Sequence, residues 1–272
     1  MLFRFAVAVL AALVCCLATG DALRAGPFRQ RSAVERPAQV RLLDAGRDDD
    51  TGRYRALVEI ALAPGYKTYW REPGDSGVPA EFAWEGSRNV AAAAALFPAP
   101  ERFFDGVGQA VGYLRTVRFP VLVEPAGEGE VTLALELSFG VCKEICIPEQ
   151  VSVQRVLGAI ADVAGLWDET MAHVPRRTPQ GEAFAGLAVS GARLDETGLV
   201  VDIAGEAADV FVEAPAPWRF GTPVREERAA GAVFTFPAGT RSDAAGPVQV
   251  TLTVVGNNAA IEVPVTVETP AR

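Results

Sequence analysis

Short segments in which apolar and polar residues alternate recur along most of this chain and constrain its fold more than any other feature. Residues 54–62 (YRALVEIAL) and 131–139 (VTLALELSF) show the alternation most clearly. A period of two is typical of a strand with one buried face, and the turn residues between these segments recur about every eight to twelve residues, which is β-sandwich spacing. Strands and helices do not alternate in the pattern, which argues against a doubly wound or thioredoxin-like fold.

The sequence predicts an all-β protein of two immunoglobulin-like β-sandwich domains joined by a short helical linker. A chain of 272 residues suits two domains of ordinary size. We expect a first domain over residues 39–157, a linker over 158–180 in which Ile160, Trp167 and Met171 recur at helical spacing, and a second domain over 181–270. The second region carries no polar constellation, and its aromatic residues are expected in its core.

The N-terminus has the pattern of a secretory signal. A short positive start ending at Arg4 precedes an apolar run over residues 5–18, and small residues at Ala18 and Gly20 predict cleavage before Asp21. The run is shorter than the roughly 20 residues of a membrane span. We therefore predict a signal peptide over 1–20, a flexible leader over 21–38 and an exported mature chain without a transmembrane segment.

Charge and composition exclude several classes of function. The formal net charge is −9, which disfavours binding to a phosphate backbone, so we expect no nucleic-acid partner. His173 is the only histidine, and together with Cys142 and Cys146 it falls short of the four ligands of a closed zinc site. Met171 alone does not make a methionine-rich copper site. The sequence predicts neither a cofactor nor a resident metal.

Cys142 and Cys146 are the only cysteines after the predicted signal, and they form the one candidate reactive centre. Four residues apart in an extended strand, their Cα atoms would lie about 13 Å apart, whereas a disulfide needs roughly 4.4–6.8 Å. A disulfide therefore requires a turn at residues 143–145. The β patterns on both sides predict a hairpin with a three-residue loop that the two cysteines close as a facing pair.

The spacing alone leaves three readings of this pair open. A bridge that closes about five residues stabilises a fold by only about 2 kcal/mol in the chain-entropy model, and the flanking strands already hold the hairpin, which favours a redox role. An inert structural disulfide is common in exported proteins. Metal binding, with Cu(I) as the fitting ion, is the third reading.

Four segments follow one another in the first β region: residues 65–79 (GYKTYWREPGDSGVP), 82–84 (FAW), 97–104 (FPAPERFF) and 139–148 (FGVCKEICIP). In this order they resemble the periplasmic N-terminal region of the thiol:disulfide interchange protein DsbD family, and most of all its relatives named for suppression of copper sensitivity, ScsB. The resemblance is strong over about residues 39–157 and weaker over the second β region. It implies an immunoglobulin-like domain that carries a redox disulfide.

The resemblance also implies roles for individual residues. Cys142 and Cys146 match the redox pair, with Cys146 as the cysteine that attacks partners and Cys142 as the one that resolves the mixed disulfide. The segment at Phe103 and Phe104 matches a cap loop whose aromatic ring shields the disulfide. The aromatic residues that match the lining of the site are Tyr66, Tyr69 and Trp70. Taken singly, each of these aromatics is as well explained by core packing.

The resemblance implies partners as well. In the family the domain takes electrons from a membrane-embedded dithiol protein and passes them to thioredoxin-like or disulfide-bonded periplasmic proteins. This sequence shows neither a transmembrane electron-conducting domain nor a thioredoxin-like domain after the β regions, so we expect the donor to be a separate protein. The gap between the cysteines is shorter than in the best-studied family pattern and resembles the ScsB form. A different class of function, a periplasmic binding or copper-handling module, remains the alternative.

Overall fold

A computed structural model of the protein describes residues 36–106, 108–158, 163–240 and 246–269. Within these ranges the chain is almost entirely β, as predicted, and its strands form four sheets. The predicted signal peptide, most of the predicted leader and Ile160 lie outside the described residues. Among the described residues, no helix is long and apolar enough to cross a membrane.

The first ten strands form two sheets that we call the first sheet pair. One sheet has the order β1-β2-β8-β5, and the other has the order β10-β9-β3-β7-β6 with β4 paired to β9. The strands are β1 (Ala38–Arg47), β2 (Tyr54–Leu62), β3 (Lys67–Gly74), β4 (Glu81–Ala83), β5 (Val90–Ala95), β6 (Glu101–Phe104), β7 (Gln109–Tyr113), β8 (Val117–Pro125), β9 (Val131–Cys142) and β10 (Cys146–Leu157).

The alternating residues of these strands build one core between the two sheets. Val58 and Phe119 contribute from one sheet, and Leu135 and Phe139 contribute from the other; all four are buried. Apolar side chains from the inner faces of the two sheets interdigitate in this way in a β-sandwich. The polar partners of the alternation face outward, which is why the period of two could be read from the sequence.

One described helix follows the first sheet pair. This helix, α1 (Ala164–Met171), packs Trp167 against Ala45 and Leu57 on the outer side of the β1-β2-β8-β5 sheet. Apolar residues at helical spacing predicted a helix in this segment, and the contacts show that it lies against the first sheet pair.

The remaining strands form the second sheet pair around a core of their own. The sheet orders are β11-β19-β18-β14 and β12-β13-β17-β15, with β16 paired to β17. Phe234 and Phe236 are buried in the second core. The strands are β11 (Arg176–Arg177), β12 (Ala188–Leu194), β13 (Gly198–Ala204), β14 (Ala207–Glu213), β15 (Arg219–Phe220), β16 (Val224–Arg228), β17 (Gly231–Thr240), β18 (Pro247–Gly256) and β19 (Ala260–Glu268).

The two sheet pairs belong to one compact unit of the chain. Phe211 of β14 illustrates the connection, because its ring packs against Trp70 of β3 with the ring centroids 5.8 Å apart. The division into separate domains at residues 157 and 181 stays a prediction.

Candidate functional site

The two cysteines lie at the tip of the longest hairpin of the first sheet pair. Strand β9 ends at Cys142, β10 begins at Cys146, and the two residues face each other in the antiparallel register. Their Cα atoms are 4.1 Å apart and their sulfurs are joined in a disulfide. The predicted hairpin with a three-residue loop over 143–145 is therefore confirmed.

The two cysteines differ in their exposure to solvent. Cys142 is 2% exposed, because β9 lies between β10 and β3 in its sheet. Cys146 is exposed, because it begins the edge strand β10 directly after the exposed turn. Of the two residues, Cys146 is therefore the one that a partner can approach from the edge of the sheet, while Cys142 is screened by the protein.

Tyr69 of β3 places its hydroxyl against both sulfurs. The Oη atom lies 2.8 Å from Sγ of Cys142 and 3.2 Å from Sγ of Cys146, and the side chain is fully buried. Burial, together with the nearby carboxylate of Asp105, raises the pKa of Tyr69 to about 12. The hydroxyl therefore keeps its proton at neutral pH and can donate a hydrogen bond to sulfur.

Asp105 and Ser76 extend the polar network behind Tyr69. The hydroxyl of Tyr69 lies 3.3 Å from Oδ2 of Asp105, and the hydroxyl of Ser76 donates to the same oxygen over 2.5 Å. Sequence reasoning assigned neither residue to the site. The only local signal is the Asp-Gly turn after Phe104, which indicates a turn and not a role.

Glycines allow the chain to close around the ring of Tyr69. A Cβ atom on Gly77 would lie 2.4 Å from Cδ1 of Tyr69, and one on Gly140 would lie 2.9 Å from Cβ of Val78. Real Cβ atoms do not approach other atoms this closely, so side chains at these positions would displace the tyrosine or its cover. The two glycines thus contribute to the burial that raises the pKa of Tyr69.

The two candidate cap residues take different positions on β6. Phe103 is half-buried and clusters with Tyr69, Ala110 and Cys142, and its ring centroid lies 6.3 Å from that of Tyr69. Phe104 is 64% exposed. Of the two, Phe103 is therefore the one that packs against the cluster of Tyr69 and Cys142, and its shielding role stays a prediction.

The structure brings only part of the predicted aromatic lining to the disulfide. Tyr66 lies near the turn, with Nζ of Lys143 5.4 Å from its ring centroid. Trp70 is buried in the first core and packs against Phe211, so the structure does not place it at the disulfide. The reason is the alternation of β3, in which neighbours of Tyr69 point to the opposite face of the sheet.

Four exposed apolar residues lie in the cysteine hairpin or in segments that neighbour the hairpin or Phe103. Ile145 and Ile147 flank Cys146 in the chain and are 77% and 40% exposed. Phe104 follows Phe103 on β6, and Val78, which is 47% exposed, accepts a backbone hydrogen bond from Gly140 of β9. We call Val78, Phe104, Ile145 and Ile147 the apolar rim.

In the part of the chain that the structure describes, no three His, Cys, Asp or Glu side chains are grouped so that they could hold a metal ion.

Comparison with known families identifies the region that carries this site. Residues 35–158 match the family model described as thiol:disulfide interchange protein DsbD, N-terminal. This region is a DsbD N-terminal domain. The match spans the cysteine hairpin, Tyr69, Asp105 and Phe103, and it makes the first sheet pair a thiol:disulfide interchange domain, as the sequence motifs predicted.

Solved structures extend the likeness to the fold of both sheet pairs. The N-terminal periplasmic domain of ScsB from Proteus mirabilis superposes with a TM-score of 0.69 at 22% identity and covers 88% of this chain and 96% of that chain. Endo-fucoidan hydrolase MfFcnA9 from glycoside hydrolase family 107 aligns at 14% identity over 76% of this chain and 35% of that chain, with a TM-score of 0.17. No curated protein sequence matches the chain.

Proposed function

We propose that this protein is a periplasmic electron carrier that passes reducing equivalents from a membrane-embedded dithiol protein to thioredoxin-like or disulfide-bonded partners. The observation that carries the proposal is the asymmetry of the disulfide. Cys146 is an exposed residue, whereas Cys142 is buried and its sulfur lies 2.8 Å from the hydroxyl of Tyr69. A purely structural disulfide needs no such asymmetry, whereas thiol-disulfide exchange needs one sulfur to be attacked and the other to leave.

In the loading half of the cycle the donor reduces the disulfide. A donor thiolate attacks Sγ of Cys146, the bond between the two sulfurs breaks, and Sγ of Cys142 leaves as a thiolate. The second donor thiolate then attacks the donor sulfur of the mixed disulfide and releases Cys146 as a thiolate. Two electrons have moved to the chain, which now carries two thiolates, and the donor is left as a disulfide.

In the delivery half the reduced chain attacks its partner. The thiolate of Cys146 attacks the partner disulfide and expels one partner sulfur as a thiolate. Cys142 then attacks Sγ of Cys146, restores the disulfide and releases the second partner thiolate. The exposure of Cys146 supports its assignment as the attacker, and the burial of Cys142 supports its assignment as the resolver.

The hydroxyl of Tyr69 supports the step in which Cys142 carries negative charge. A buried thiolate without a hydrogen-bond donor is costly, and the Tyr69 hydroxyl lies 2.8 Å from this sulfur. Its raised pKa keeps the proton in place for donation at neutral pH. The apolar rim, two of whose residues flank Cys146 in the chain, provides a surface that a partner would cover while its own cysteine reaches Sγ.

Single-cysteine variants test this assignment. We expect Cys142→Ser, which retains Cys146, to form a mixed disulfide with glutathione disulfide at least about tenfold faster than Cys146→Ser, because only Cys146 is exposed. Mass spectrometry of acid-quenched samples gives both rates. Equal rates, or a faster reaction in Cys146→Ser, would contradict the assignment. The reduced wild-type chain should also reduce oxidised thioredoxin, and a complete lack of transfer would sink the carrier proposal.

A further inference from the structure

We propose that one face of β14, in the second sheet pair, holds β6 in place beside the disulfide and so limits the access of small thiols to it. This inference rests on the proposed exchange function and gives the second sheet pair a role in it. The face consists of Asp209, Phe211 and Glu213, which we call the β14 ridge. Alternate residues of a strand point to the same side, and Val210 and Val212 between them pack into the second core.

Each residue of the β14 ridge contacts a residue next to the site. Asp209 accepts hydrogen bonds from Nε and Nη2 of Arg102 over 3.0 and 3.2 Å. Arg102 immediately precedes Phe103. Phe211 packs against Trp70 with ring centroids 5.8 Å apart, and the guanidinium of Arg102 lies 4.8 Å from the Phe211 ring centroid.

Glu213 forms the corresponding pair with Arg71 of β3. Nε and Nη2 of Arg71 donate to its two carboxylate oxygens over 2.7 Å each, and Nη2 also donates to Glu262 of β19 over 2.5 Å. Two-pronged pairing of this kind fixes orientation as well as distance. The pairs are partly shielded, since the side chains of Arg71 and Glu213 are 27% and 22% exposed. Arg71 lies two residues after Tyr69.

Strand β6 needs this support more than its neighbours do. It has four residues and lies at the edge of its sheet, and among the strands that the structure describes it pairs with β7 alone. A short edge strand with few backbone partners opens at low free-energy cost. Its two faces have separate tasks, because Arg102 points to the β14 ridge and Phe103 points to Tyr69 and Cys142. Asp105 follows the strand, so displacement of β6 would also disturb the contact to Tyr69.

The first variant of the test removes one charge from the β14 ridge and leaves the redox domain unchanged. Asp209→Asn keeps the size of the side chain and weakens the pair with Arg102. The double variant Arg102→Asp/Asp209→Arg, the charge swap, exchanges the two charges and should restore the ion pair between these positions. The matched control is Glu124→Gln, which breaks an exposed ion pair with Arg53 elsewhere on the first sheet pair. For the purified full chain we measure amide exchange of residues 101–104 and the rate at which glutathione reduces the disulfide.

We expect Asp209→Asn to accelerate both amide exchange in β6 and reduction by glutathione about fivefold, the lower end of typical coupling between sites. The charge swap should recover a large part of both changes, and Glu124→Gln should alter neither. The inference is wrong if β6 exchanges at the wild-type rate in Asp209→Asn, or if it exchanges faster while the glutathione rate stays within twofold of wild type. A wild-type disulfide that does not react with glutathione at all would instead overturn the proposed function, and amide exchange would still decide whether β14 positions β6.

Discussion

Replacement of Tyr69 by phenylalanine should slow reduction of the disulfide without unfolding the site. The substitution removes one oxygen, which lies 2.8 Å from Sγ of Cys142 and 3.2 Å from Sγ of Cys146, and keeps the ring that packs against Phe103. Without this hydroxyl, residue 69 donates no hydrogen bond to the leaving thiolate of Cys142, and Cys142 itself is only 2% exposed.

The size of the effect follows from the hydrogen bond that is lost. A hydrogen bond to a charged group contributes about 1.5–3 kcal/mol. Sulfur is a weak acceptor, so the low end applies, and about 1.4 kcal/mol corresponds to a factor of ten in rate. We therefore expect Tyr69→Phe to be reduced by dithiothreitol about tenfold more slowly than wild type at pH 7.

The assay is a time course of reduction under excess dithiothreitol, quenched with acid and counted as alkylated thiols by mass spectrometry. The control is Tyr54→Phe, which removes the same atom from a tyrosine whose ring contacts Arg47 on the other sheet of the first sheet pair. Tyr54→Phe should react at the wild-type rate. A Tyr69→Phe variant that is folded and is reduced within twofold of wild type would refute a role for the hydroxyl in the leaving step.

Three further outcomes follow from the same contacts. Phe103→Ala should raise the rate of reduction by glutathione several-fold, because its ring packs against the cluster of Tyr69 and Cys142 and covers that side of the disulfide site; an unchanged rate would show that the ring is not a shield. Ile145→Glu should slow electron transfer to oxidised thioredoxin about fivefold or more and leave the dithiothreitol rate unchanged, whereas Val224→Glu, at another exposed apolar residue, should change neither. Glu59→Gln should lower the free energy of unfolding at pH 7 by about 1–3 kcal/mol, measured by urea denaturation. Burial opposes ionisation of Glu59, but ion pairs with Arg41 and Arg118 hold its pKa below the ordinary 4.5. The stabilisation by ionised Glu59 is therefore complete above pH 4.5 and is lost as the pH falls through the folded-state pKa. A difference between wild type and Glu59→Gln that persists unchanged at pH 2 would contradict this assignment.

The sequence predicted the parts of the molecule in which local pattern and topology agree. The cysteine hairpin is one, because alternation on both sides of residues 142–146 leaves a turn as the only way for the sulfurs to meet. Strand β2 is another, since its alternation gave the bounds Tyr54–Leu62 that the structure shows.

Other parts depend on tertiary contacts that no local pattern reveals. Strand β3 carries Tyr69, yet its sequence KTYWREPG does not alternate apolar and polar residues and contains a proline. Asp105 lies in a turn, where an aspartate is ordinary, and only its distance to Tyr69 marks it as part of the site.

The β14 ridge shows the same limit most clearly. In the sequence, Asp209 and Glu213 look like the solvent-facing half of an alternating strand, and the second region was expected to carry no polar constellation. In the structure they pair with Arg102 and Arg71 of the first sheet pair. The arginines and carboxylates are more than 100 residues apart in the chain, so spacing gives no sign of the pairing.

The redox potential of the Cys142–Cys146 pair tests the central claim most directly. The purified chain is equilibrated in glutathione or dithiothreitol buffers of stated potential, and the free thiols are counted. We predict a midpoint of roughly −180 to −270 mV, the range of exchangeable pairs. A pair that remains oxidised below about −300 mV would contradict the account, because a disulfide of that stability is a structural bridge.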